Sequence, residues 1–141
     1  MVLLDVNVVV NAMREEAPRH ELVSTFVDAL RAAPEPFGLS DVVLSGALRV
    51  LTHPRIFNPP TPSARAQAFV TALRNTPNAV VVQPGERHWN IFSDLVKQTG
   101  AVGNLISDAW YAALAIEHGC EWISDDADFA RFPGLRWRRP T

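Results

Sequence analysis

The chain opens with Met1-Val2-Leu3-Leu4, four apolar residues that run without alternation into Asp5. An unbroken apolar run of strand length fits a strand covered on both faces, as in a parallel sheet between helices. A carboxylate at the carboxyl end of such a strand stands where open α/β sheets place their ligand sites. Asp5 is equally suited to cap a helix or start a turn, so position alone leaves both roles open. Asn7 and a second apolar run, Val8-Val9-Val10, follow, and Asn11 to Arg14 then have room for a short helical turn.

The rest of the chain alternates helical and extended patterns. Leu22, Val23, Phe26, Val27 and Leu30 recur three and four apart, which predicts an amphipathic helix over 19–33. Pro36-Phe37-Gly38-Leu39 reads as a short extended piece. Ser40 is then a candidate N-cap for a helix through Val43, Leu44, Ala47, Leu48 and Leu51. A proline-rich loop spans 54–62, and a further helix carries Ala66, Phe69, Val70 and Leu73. Ala79-Val80-Val81-Val82 predicts another buried strand. Helices over 86–99 and 104–117 follow, the second closed by Gly119. Residues 121–124 and 135–138 read as the last strands. This order argues for an α/β fold, a mostly parallel central sheet flanked by helices, in one domain over residues 1–141.

Composition removes several classes of function. No apolar run approaches the length of a membrane helix, and no basic segment precedes the first strand, so a cytoplasmic protein is expected. The single cysteine, Cys120, cannot form an internal disulfide and reads as small buried filler. His20, His53, His88 and His118 show no zinc-binding spacing. Net charge is −2, so overall charge does not point to nucleic acid. Twelve of the 13 basic residues are Arg, a side chain whose planar fork suits phosphate, although codon bias explains the excess equally well.

Acidic residues distant in sequence fall where such a sheet would gather them. Asp5 ends the first strand, Asp108 lies near the start of the 104–117 helix, and Asp125, Asp126 and Asp128 follow the 121–124 strand. Ala109, Ala112, Ala113 and Ile116 give that helix a small-residue face for close packing. Its amino end favours an ionised Asp108. Several carboxylates at one point repel one another unless a cation is present. Oxygen donors without His or Cys suit Mg²⁺ or Mn²⁺, and the chemistry that follows is metal-assisted phosphodiester hydrolysis. Singly, each acid has a plainer role: Asp108 as a first-turn acid, Asp126 or Asp128 as a cap, Asp125 as a solvated loop residue.

Three segments carry a resemblance: Leu3-Leu4-Asp5-Val6-Asn7; Ser107-Asp108-Ala109 with Ala112-Ala113-Leu114-Ala115; and Ser124-Asp125-Asp126-Ala127-Asp128-Phe129. In this order they resemble the PIN domain, and more narrowly the VapC toxins of VapBC toxin–antitoxin pairs, over essentially the whole chain. The resemblance implies a PIN-like three-layer fold and a Mg²⁺-dependent endoribonuclease acting on structured RNA, tRNA or ribosomal RNA. It also implies a homodimer inhibited by a small VapB-type antitoxin. Asp5, Asp108 and Asp126 would be the catalytic metal ligands, Asp128 an accessory acid, and Asn7 and Ser124 supporting polar residues. The family often carries a glutamate on the helix after the second strand; Gly46 stands there in this chain. Asp41, five residues earlier, is a candidate substitute, although five residues is not the same helical face. One well-held Mg²⁺ is therefore expected.

Arg49 and Arg55 are candidate phosphate contacts. Arg136, Arg138 and Arg139 with Trp137 read either as an RNA-stacking tail or as an edge strand with a buried Trp. The 54–62 loop and the helix after it are candidates for the antitoxin or dimer surface. Two other functions fit parts of the pattern. A phosphohydrolase using Asp5 as nucleophile would want an acid at Asn7 and a nearby lysine, and the only lysine is Lys97. A degenerate PIN module that binds RNA or antitoxin without cutting fits Gly46 but not the retention of Asp5, Asp108 and Asp126.

Overall fold

A computed structural model describes residues 1–141. Five short strands form one sheet: β1 (Val2–Leu4), β2 (Phe37–Leu39), β3 (Ala79–Val81), β4 (Glu121–Ile123) and β5 (Trp137–Arg138). Their spatial order is β3-β2-β1-β4-β5, and every neighbouring pair is parallel. Six helices connect them: α1 (Val6–Met13), α2 (His20–Ala32), α3 (Asp41–Leu51), α4 (Ser63–Arg74), α5 (His88–Thr99) and α6 (Asn104–Glu117), with a 3₁₀ turn at Ala127–Arg131.

The strand order places the site. From the central β1 the chain steps outward to β2 and β3, then returns to β4 on the other side of β1. Right-handed crossovers put the helices of the outward path on one face and those of the return path on the other. The packing agrees: α1 contacts α2 and α3, α3 contacts α4, and α5 pairs with α6. The reversal falls between β1 and β4, the position where open α/β sheets form a crevice at their carboxyl ends. Leu4 pairs with Ile123, so the next residues, Asp5 and Ser124, come side by side.

One connected cluster of 29 buried residues forms the core, with Leu3, Leu4, Trp122 and Ile123 fully covered. This is the two-sided burial that the first apolar run predicts; the 79–82 run does not follow it, because β3 lies at the edge of the sheet and leaves Val80 exposed. Burial explains the main departure from the sequence reading. The helix after β1 begins at Val6, not Asn11, and Val8, Val9 and Val10 are helical and buried. β-Branched residues are mediocre helix formers, but packing routinely outweighs propensity. Here Asp5 starts the helix by accepting the Val6 N–H, and the sheet, α2 and α3 cover its valines. Gly103, at φ 59°, takes the cap position of α6, ahead of both Asn104 and Ser107. Cys120 is buried and free. No helix is long and apolar enough to cross a membrane.

Candidate active site

Asp5 takes the capping role its position allowed. It caps α1 through a 2.6 Å bond from the Val6 N–H to Oδ1, and its other oxygen faces the sheet edge. Oδ2 accepts from the Ser124 hydroxyl at 2.6 Å and from Asn7 Nδ2 at 3.2 Å. Asn7 Nδ2 also donates to Ser124 Oγ, and Asn7 Oδ1 accepts from the Asp125 N–H. Ser124 Oγ accepts from the Asp126 N–H as well. Asn7 and Ser124 thus tie the end of β1 to the loop after β4, and Ser124 is wholly buried. From the other side, Trp137 Nε1 donates to the Ser124 carbonyl.

Asp108 reaches the same place from the second turn of α6, whose Ala109, Ala112 and Ala113 are fully buried. Asp126 caps the 3₁₀ turn by accepting from the Asp128 N–H, so its cap role also holds. Asp108, Asp126 and Asp128 each present a carboxylate oxygen within 4.8 Å of the others. Burial pushes the Asp5 carboxyl up to about 6; bonds from Ser124, Val6 and Asn7 oppose this, and the Asp126 charge adds to it. Asp108 also rises to about 6, first through burial and then through repulsion by Asp126, Asp5 and Asp128. Unlike Asp5, it has no hydrogen-bond donor of its own to offset this.

Such a set fits a hard divalent cation. Its donors are all oxygens, they converge from α6 and the segment after β4, and their mutual repulsion is what a cation relieves. Asp108, Asp126 and Asp128 present oxygens within reach of one ion; Asp5, expected among the ligands, stands outside that trio with both oxygens bonded to Val6, Ser124 and Asn7.

Other candidate residues lie elsewhere. Asp41 does not join the cluster: both its oxygens are held by Arg74, at 2.8 and 3.2 Å. That exposed pair holds the Asp41 carboxyl below its usual range. Gly46 adds no carboxylate. Asp125 is not a solvated loop acid; its side chain is only 14% exposed, 3.0 Å from Arg19 and 3.9 Å from Arg139. The C-terminal arginines are engaged in the fold. Arg136 donates to the Gly119 carbonyl, and Arg138 pairs with Glu121 and lies over the Phe26 ring. β5 is thus the edge strand that pattern allowed.

The structure also adds residues to the cleft. Tyr111 lines it beside Asp108 and Asp5, one turn after Asp108, and stacks on the buried Trp122. The i, i+3 spacing from Asp108 was its only signal in the sequence. Ile56 and Phe57, in the loop assigned to a partner surface, form an apolar wall of the same cleft, and Arg49 lines it too.

A parallel α/β sheet with converging acids at its switch point describes a class of metal-dependent phosphodiester-cleaving folds. A PIN-domain family model matches residues 2–135. The chain is 44% identical to Ribonuclease VapC43 of Mycobacterium tuberculosis, covering 99% of this chain and 95% of that protein. It is 42% identical to Ribonuclease VapC25 of the same organism, over 99% of both chains. Among solved structures, VapBC2 from Rickettsia felis, bound to a promoter DNA fragment, superposes with a TM-score of 0.72 at 16% identity. That match covers 99% of this chain and 98% of that one. M. tuberculosis VapC20, a Sarcin-Ricin loop cleaving toxin, superposes at 0.68 with 18% identity, covering 96% and 99%. The chain belongs to the PIN-domain family, among its VapC ribonucleases.

Proposed function

We propose that this chain is the toxin of a toxin–antitoxin pair, a Mg²⁺-dependent endoribonuclease that cuts structured RNA, tRNA or ribosomal RNA, in the cytoplasm. The observation that carries the reading is the convergence of Asp108, Asp126 and Asp128 at the switch point of the sheet, with Asp5 near enough for its charge to act on Asp108. Clustered acids make a poor surface for a polyanion unless a cation sits between them. A bound divalent ion would supply an activated water and stabilise charge developing on the phosphate. Asp108, Asp126 and Asp128 would hold that ion, with Asp5 beside them. Asn7 and Ser124 keep Asp5 oriented, and Tyr111, braced by Trp122, borders the space where RNA enters.

With Gly46 in place of an acid, one ion is the expected complement. The relatives named VapC and the structural likeness to VapBC complexes support a cognate VapB-type antitoxin as inhibitor. Residues 1–141 would act as one unit.

The test is purified, antitoxin-free protein incubated with total tRNA and ribosomal RNA, with Mg²⁺ or EDTA, beside Asp5→Ala. Discrete fragments that need Mg²⁺ and vanish in the variant are expected. RNA left intact by a folded wild-type protein that still binds it would favour the non-cutting module instead. A labelled phosphoenzyme on Asp5 would instead mark the phosphohydrolase.

A further inference from the structure

Asp108, Asp126 and Asp128 crowd this site with Asp5 beside them, Arg131 pairs with Asp128, and one divalent ion neutralises two charges more. RNA approaching the cleft still meets net negative charge unless the protein supplies a cation there. Arg49 is the only basic residue that lines the cleft, together with Asp5, Asp108 and Tyr111. Its position follows from the local fold. At Gly46, α3 comes so close to the first residue of α1 that a Cβ would stand 3.0 Å from Val6 Cγ2. Arg49 lies one turn further along α3, on the same face, and is thereby carried to the Asp5 end of α1.

The Arg49 side chain is uncommitted. It forms none of the ion pairs or hydrogen bonds that occupy Arg19, Arg74, Arg87, Arg136 and Arg138. It remains solvent-exposed. A free guanidinium in an otherwise acidic cleft matches one ligand chemistry, the phosphate oxygens of a bound polyanion.

We propose that Arg49 is the phosphate anchor of this cleft, gripping one RNA backbone phosphate beside the acidic cluster. The proposal rests on the nuclease reading above. Arg49 contributes an electrostatic, sequence-independent contact, and its planar fork sets where the strand lies relative to Asp5 and Asp108.

The experiment is RNA binding in EDTA, where no cleavage occurs, across a range of KCl concentrations. The probes are a sarcin–ricin hairpin RNA and bulk tRNA. Wild type is compared with Arg49→Gln, Arg49→Lys and Arg65→Gln; Arg65 is an equally exposed arginine on α4 outside this cleft. Losing one phosphate contact reduces the slope of log K against log salt by about 0.7–0.9. Arg49→Gln should show that reduction and weaker binding, Arg49→Lys should recover the slope but not the full affinity, and Arg65→Gln should match wild type. Circular dichroism melts confirm that each variant is folded. Equal slopes for Arg49→Gln and wild type would overturn the proposal, as would an equal drop in Arg65→Gln. Mg²⁺-dependent cleavage by wild type, measured alongside, separates this failure from failure of the nuclease reading.

Discussion

Replacing Asp108 with Asn should make the metal-free protein more stable and its metal-loaded form less so. Partial burial raises the Asp108 carboxyl first, repulsion by three carboxylates adds to it, and no hydrogen-bond donor offsets either. Its rise from 3.8 to about 6 corresponds to a penalty of about 3 kcal/mol on the ionised folded state. The side chain is partly open to water, which screens that repulsion, so about 1–2 kcal/mol is the realistic gain. For a chain of 141 residues this raises the melting temperature by about 3–8 °C. The pH dependence has a definite sign. Because the folded-state value is raised, the penalty is absent below about 4 and complete once pH passes well above 6. The assay is thermal unfolding of wild type and Asp108→Asn in EDTA at pH 4.5 and pH 8, then at pH 8 with Mg²⁺. The variant should melt higher at pH 8 in EDTA, and by only about a third of that margin at pH 4.5. Mg²⁺ at about 100 times its dissociation constant should then raise wild type by about 2.7 kcal/mol and the variant far less. A variant no more stable than wild type in EDTA at pH 8, or one that Mg²⁺ stabilises equally, would refute the reasoning.

Three further outcomes follow from the same geometry. Mn²⁺ affinity, measured by calorimetry, should weaken as pH falls through about 6, where Asp5 and Asp108 take up protons, by about tenfold per pH unit for each proton displaced. Ser124→Ala removes a hydroxyl that bonds Asp5, Asn7 and the Asp126 N–H in a buried setting, and should cost about 1–3 kcal/mol in chemical denaturation. Because that bond opposes the rise of Asp5, the pH midpoint for Mn²⁺ binding should also move upward in this variant. Asp41→Asn should leave cleavage and Mn²⁺ binding at wild-type levels, since Asp41 is paired with Arg74 outside the cluster; loss of either activity would place Asp41 in the site after all.

Much of this site is written in local sequence. An apolar run ending in Asp5 fits a buried strand with a carboxylate at its carboxyl end, and a strand of this kind ends at the crevice of the sheet. The small-residue face after Asp108 marks a helix that must pack closely, which carries Asp108 inward with Ala109, Ala112 and Ala113. These signals are one-dimensional because periodicity and burial are properties of single elements.

What only the tertiary structure decided depends on contacts between elements. Val8-Val9-Val10 became helical because α2, α3 and the sheet bury them, an outcome that β-branched composition does not favour. Asp41 and Asp125 carry the same carboxylate as Asp5, yet Arg74 claims one, and Arg19 with Arg139 claims the other. Tyr111 entered the cleft braced by a stacking contact with Trp122, and of the two candidate phosphate contacts, Arg49 and Arg55, the close approach of helices at Gly46 brought Arg49 to it. The acids of this chain are visible as acids in the sequence. Which of them find a cationic partner is settled by the arginines that folding brings to them, Arg74 to Asp41, Arg19 and Arg139 to Asp125, and Arg131 to Asp128, while Asp5 and Asp108 have none.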